Sequence, residues 1–209
     1  MMHVASYVNS SHLAQFAIDH GGSKHSRNRI GQTPYHVSCI KGNWQFLQKL
    51  MEMKDNEQSP LETCGFDIFG YTPLSLAAMN GHHQCIHVLM NNNSMNGLND
   101  EDSSGWTPLT NSSYRGHYNV CERLIHCGAD INLANGNGIT PMLAAIDGGN
   151  TLTRWWLMVL EMELHCSVPS GWETCQSYLL SSTVELIYPQ WMMVVMHLPM
   201  QLHWGTRRY

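Results

Sequence analysis

The chain has 209 residues, and a formal net charge of -5 with only 11 Lys and Arg leaves no basic footprint, so nucleic-acid binding is not expected. No run of about 18 apolar residues is present to span a membrane, and the opening stretch lacks the charged-then-apolar order of a signal peptide, so no membrane partner is expected. Seven cysteines in no framework spacing predict a reducing, cytoplasmic setting, with the nucleus as the alternative.

In chain order, the first recognisable stretch is Met2–Ser6 (MHVAS), whose His3 stands 33 residues before His36 of YHVS. The match predicts that the chain opens inside a repeated unit, a partial copy over 1–27. Full copies start near residues 28, 67, 102 and 135, and each spells Gly-x-Thr-Pro: GQTP at Gly31–Pro34, GYTP at Gly70–Pro73, GWTP at Gly105–Pro108 and GITP at Gly138–Pro141. The first glycines lie 39, 35 and 33 residues apart, and eleven residues beyond each stands another, at Gly42, Gly81, Gly116 and Gly149.

The chemistry of one copy predicts its structure. Thr72 can cap a helix by accepting backbone N–H groups, and Pro73 fits the first helical position, where a missing N–H costs nothing. Leu74, Ala77 and Ala78 recur at helical spacing, and Gly81 ends the helix in a left-handed conformation. A second helix follows, with apolar faces at Phe46, Leu47 and Leu50, then Cys85, Ile86, Val88 and Leu89, then Val120, Leu124 and Ile125. Extra polar residues over Met51–Cys64 and Asn91–Ser104 predict lengthened loops between copies.

Beyond residue 150 the pattern breaks. Residues 151–162 form an aberrant join crowded with Trp and Met, 163–182 resemble a degenerate copy because Leu164 precedes Gly171 as Leu74 precedes Gly81, and 183–209 form an aberrant tail.

The Gly-x-Thr-Pro copies and their period resemble ankyrin repeats from about residue 1 to 150. The resemblance implies a mainly α fold: an ankyrin-repeat solenoid of stacked helix-turn-helix units with hairpin loops, followed by an irregular C-terminal segment. The family's histidine survives as His36, whereas Ser75, Thr110 and Leu143 replace it. The C-terminal part reads as frameshifted or mispredicted. Trp191, Met192 and Met193 followed by Val194, read two bases later, spell Asp-Asp-Gly whatever the valine codon. An alanine and a glycine are then forced seven and eleven codons beyond that glycine, the spacing of Gly70, Ala77 and Gly81.

For function, the resemblance implies a scaffold or adaptor that binds a protein partner through hairpin tips and the concave helix face. Carried onto this chain, the contact residues are Arg29, Ile30, Gln32, Ile40 and Lys41 in the first full copy and Ile68, Phe69, Tyr71, Met79 and Asn80 in the second. The third contributes Ser103, Ser104, Trp106, Tyr114 and Arg115, and the fourth Asn137, Ile139 and Asp147. Phe69, Tyr71, Trp106, Tyr114 and Arg115 are the preferred anchors, because aromatic and arginine side chains dominate interface energies. Covering the neighbouring hairpin is the alternative use of Tyr71 and Trp106. The stretch from Leu124 to Asn132 is similar to sequences in which an asparaginyl hydroxylase modifies ankyrin repeats, which makes Asn132 a modification candidate; building the turn with Asp130 is its other reading.

His82, His83, Cys85 and His87 are metal-capable but lie along one helix start without converging, so no metal is expected and no cofactor either. His82 reads as the Gly-His pair of the repeat and Cys85 as core. With no nucleophile or phosphate-cradling motif the chain is not expected to be an enzyme, and no catalytic residue is assigned. The alternative is the ankyrin-repeat fragment of a larger multidomain enzyme, such as a kinase or ubiquitin ligase.

Overall fold

The computed structural model describes residues 1–53, 65–91 and 97–166. Among the described residues the regular structure is helical, without strands: α1 (Met2–Val8), α2 (Ser11–Asp19), α3 (Pro34–Lys41), α4 (Trp44–Glu52), α5 (Pro73–Met79), α6 (His83–Asn91), α7 (Pro108–Arg115), α8 (Tyr118–His126), α9 (Pro141–Asp147) and α10 (Thr151–Cys166). No described helix is long and apolar enough to cross a membrane. The chain divides into two compact units, Met1–Met158 and Val159–Tyr209, and the second is described only as the end of α10. The degenerate copy beyond residue 166 and the tail at 183–209 lie outside the described residues, as do the centres of the expected long loops, 54–64 and 92–96.

In the first unit, α1, α3, α5, α7 and α9 pack in succession as inner helices, while α2, α4, α6 and α8 form an outer row. Each Thr-Pro starts an inner helix as expected. The Oγ1 atoms of Thr72, Thr107 and Thr140 accept the N–H groups of Ser75 (3.1 Å), Thr110 (3.1 Å) and Leu143 (3.3 Å). At Thr33 the arrangement is reciprocal, because His36 Nδ1 accepts the Thr33 N–H at 3.2 Å. The core between the rows takes Phe46, Leu47 and Leu50 from α4, Cys85, Ile86 and Leu89 from α6, and Val120, Cys121 and Leu124 from α8. Ala77 and Ala78 of α5 are fully buried, small enough for neighbouring inner helices to approach closely.

Two sets of polar side chains join the copies. His3 Nε2–H donates to the Gln32 carbonyl at 2.8 Å, and His36 Nε2–H donates to the Tyr71 carbonyl at 3.2 Å. Each acceptor is the variable residue of the next Gly-x-Thr-Pro, so His3 and His36 occupy equivalent places. The residue after each helix-ending turn reaches in the other direction. Asn43 donates to the Ser6 carbonyl (2.6 Å), His82 to Ile40 (3.1 Å), His117 to Met79 (3.1 Å) and Asn150 to Ser113 (3.1 Å).

These contacts explain why glycine stands at 42 and 81. Both adopt positive φ, 73° and 77°, and a Cβ on either would meet the imidazole of the next copy, at 2.7 Å from His82 and 2.8 Å from His117. In the partial copy Asn9 takes this place at φ 59°, since asparagine tolerates the left-handed region.

Residues read as an aberrant join form the first part of α10, a single 16-residue helix. Its sequence contains no Gly or Pro to stop it. Leu157 is fully buried, and the Trp156 ring meets the Tyr118 ring edge-on with centroids 5.2 Å apart. This early stretch thus supplies core contacts as an outer helix does.

Candidate protein-recognition surface

Each hairpin is built by one acidic or amide side chain three residues before its glycine. Asn28 Oδ1 accepts the N–H groups of Ile30 (3.1 Å) and Gln32 (2.9 Å), and Asp67 Oδ1 those of Phe69 and Tyr71, both at 2.9 Å. Asp102 holds Ser104 (2.8 Å) and Trp106 (3.0 Å), and Asn135 holds Asn137 (3.0 Å) and Ile139 (2.9 Å). These four turn-formers were not singled out from the sequence, although Asn or Asp at a constant distance before Gly-x-Thr-Pro is their signal. Successive hairpins are joined through the backbone: Ile68 N–H donates to the Ile30 carbonyl at 3.1 Å and Ser103 N–H to the Phe69 carbonyl at 3.0 Å.

This scaffold pushes apolar side chains outward. Ile30, Phe66, Ile68 and Phe69 are exposed at 38, 48, 62 and 49 % on two hairpins joined backbone to backbone, which gathers them on one part of the surface. Phe66 is a further member that sequence reasoning missed, because it precedes the repeated spelling.

The remaining candidates divide by environment. Arg29, Lys41, Asn80, Ser103, Ser104, Tyr114, Arg115, Asn137 and Asp147 are exposed, and Ile40, Tyr71, Met79, Trp106 and Ile139 are half-buried. Gln32 is buried, and its amide donates to Asp67 Oδ2 at 3.2 Å, joining two hairpins. Asn80 spends its amide on the Leu76 carbonyl at 2.7 Å. Asn132 is exposed on the turn after α8, where its N–H donates to Asp130 Oδ1 at 2.9 Å.

The structure brings the aromatic anchors together in pairs. The Trp106 and Tyr114 rings meet edge-on with centroids 5.2 Å apart, so the third hairpin and the end of α7 share one surface. Phe69 and Tyr71 lie 6.4 Å apart on the second hairpin. Burial pushes the Tyr71 phenol up, the Asp102 and Asp67 carboxylates push it the same way, and the Arg115 guanidinium opposes them. Lys41 Nζ stands 4.2 Å from the centroid of the exposed Tyr7 ring.

Of the other reactive-looking groups, Cys121, His36, His82 and Cys85 are engaged by packing or hydrogen bonds. Cys121 is buried beside Ser112 Oγ (3.2 Å) and Ser113 Oγ (3.6 Å), and burial pushes its thiol up, away from the reactive thiolate. Burial lowers His36 to about 4 against the Tyr71 carbonyl contact, which keeps the ring neutral. His82 serves the backbone bond described above, Cys85 is buried, and His83 and His87 are exposed.

Residues 60–135 match a family model of ankyrin repeats in three copies. Over 109 residues, 52 % of this chain, the sequence is 33 % identical to the human ankyrin repeat and KH domain-containing protein 1, covering 4 % of that protein. It is 27 % identical over 110 residues, 52 % of the chain, to the mouse serine/threonine-protein kinase TNNI3K, covering 13 % of it. Over 139 residues, 64 % of the chain, it is 27 % identical to the Arabidopsis thaliana E3 ubiquitin-protein ligase KEG, of which it covers 8 %. The matched segments are thus small parts of much longer proteins. Residues 60–135 carry ankyrin repeats, a module that mediates protein–protein interaction.

Proposed function

We propose that this ankyrin-repeat array is the recognition part of a scaffold or adaptor and binds a protein partner through its hairpin tips and inner-helix face. One observation carries the reading: four large apolar side chains, Ile30, Phe66, Ile68 and Phe69, are held exposed on hairpins whose backbones are bonded to each other. Such preorganisation lowers the ordering cost of binding. Catalysis, nucleic acid and membrane have no part in the reading, and a cytoplasmic or nuclear setting suits cysteines in no framework spacing.

The second reading, a recognition segment of a larger kinase or ubiquitin ligase, is favoured by the similarity to such proteins. It uses the same surface. The test is selection of binding peptides on the full chain, then affinity measurement with Phe69→Ala/Tyr114→Ala. A loss of about 2 to 4 kcal/mol with unchanged helical content is expected. Unchanged affinity in the folded variant overturns the proposed surface.

A further inference from the structure

In the first three full copies the exposed charges of the recognition surface are opposite in sign to the net charge of the chain. In the hairpins and inner helices at 28–41, 67–80 and 102–115, the acidic residues are Asp67 and Asp102, buried at 6 and 7 % exposure. Their Oδ2 atoms accept the amides of Gln32 (3.2 Å) and Asn111 (3.1 Å), and their Oδ1 atoms hold the hairpin backbones. The charged side chains left exposed in these segments are all cationic: Arg29, Lys41 and Arg115. Yet the formal net charge of the whole chain is -5. Other described acids sit on outer helices, as Asp19, Glu52 and Glu122 do, or in connections, as Asp100 and Asp130 do; the exposed anions that border the strip are Glu101, whose carboxylate approaches the third hairpin at Gly105, and Asp147 on α9.

A cation in the last turn of an inner helix is favourable toward the helix carbonyls, which accounts for Lys41 and Arg115 individually. It does not account for Arg29 on a hairpin tip, while the two acids are withdrawn from the surface by their hairpin-building bonds. Two of the cations neighbour rings. Lys41 lies over Tyr7, and Arg115 follows Tyr114, whose ring meets Trp106.

We infer that this face docks an acidic segment of a partner protein, with Asp or Glu side chains opposite Arg29, Lys41 and Arg115 and a Leu or aromatic side chain against the Trp106–Tyr114 pair. The inference rests on the recognition reading above and adds the chemistry of what is recognised. Spaced cations separated by apolar surface suit such a segment better than a phosphate backbone, which calls for a dense basic stripe.

The test is fluorescence anisotropy on the full chain with three labelled peptides of one length and one Leu and Phe pattern, whose intervening positions are Glu, Gln or Lys. A labelled single-stranded oligonucleotide is the fourth probe. The Glu peptide is expected to bind on the order of tenfold more tightly than the Gln peptide, with a margin that shrinks as salt rises. Lys41→Glu/Arg115→Glu should abolish that margin, and Arg29→Glu, on a hairpin tip away from the helix ends, should reduce it if the double variant does not fold. Lys49→Glu on α4 should leave it intact. Equal affinity for the Glu and Gln peptides, a margin that survives the substitutions, or tighter binding of the oligonucleotide overturns the inference. If the Gln peptide binds equally well and loses affinity in Phe69→Ala/Tyr114→Ala, the charge preference falls while the recognition surface stands. Absence of binding by every peptide overturns both.

Discussion

His36 shows how much one side chain of this repeat carries. Its ring accepts the Thr33 N–H on one nitrogen and donates to the Tyr71 carbonyl from the other, an arrangement available only to the neutral tautomer with Nε2 protonated. Burial lowers its folded pKa from 6.5 to about 4, so between those values the unfolded chain binds a proton that the folded chain refuses. Stability from this group is complete above pH 6.5 and declines as pH falls toward 4, by about 3 kcal/mol at most. Denaturant melts of the chain and of His36→Leu across this range check it: the slope with pH should be shallower in the variant. Gly81 offers a second test. Gly81→Ala should cost about 1 to 3 kcal/mol, and less when His117→Ala is also present, because part of the penalty is the collision with that ring and part is the left-handed backbone. For Asn132, whose N–H builds the turn with Asp130, peptide mass spectrometry after incubation with an asparaginyl hydroxylase separates the two readings: an unmodified residue confines it to its turn, and one added oxygen makes it an acceptor.

At the scale of elements, caps and hairpins separate stability from recognition. Thr107→Ala removes the acceptor of the Thr110 N–H and should lower stability by about 1 kcal/mol without altering partner affinity. Asp102→Asn keeps an oxygen for the hairpin N–H groups but can place an amide against the Asn111 amide, so it should cost about 1 to 3 kcal/mol through an unmade buried bond. The helix α10 shows the opposite lesson from the turns. Its Trp- and Met-rich start looked foreign because it lacks the repeat's spelling, yet an outer helix needs only an apolar side at the right depth. Leu157→Ala should therefore lower stability by about 2 to 4 kcal/mol in a thermal or denaturant melt, as deletion of a fully buried leucine does.

For the first unit as a whole, contacts run between successive inner helices and successive outer helices, so destabilisation should be felt locally. Hydrogen exchange on Leu124→Ala should show the largest loss of protection in α7 and α8, a smaller loss in α6 and α9, and little change in α1 and α2. Uniform loss throughout would mean that the unit unfolds as one block. The helix starts, the glycine-ended turns and the apolar outer faces were legible in the residues because each depends on chemistry within a few positions: a hydroxyl before proline, a glycine free to adopt positive φ, a stripe at helical spacing. The equivalence of His3 and His36 was legible for the same reason, as spacing. What required the folded arrangement was every use of a side chain across copies. Nothing in the spelling distinguishes Gln32, buried on Asp67, from its counterpart Trp106, half-buried against Tyr114, and nothing local marks His82 and His117 as partners of carbonyls in the preceding copy. Local rules assign each residue to a helix, a turn or a hairpin. Which of them face solvent, and with what charge, depends on the neighbouring copy that covers the others, and so does the composition of the recognition surface.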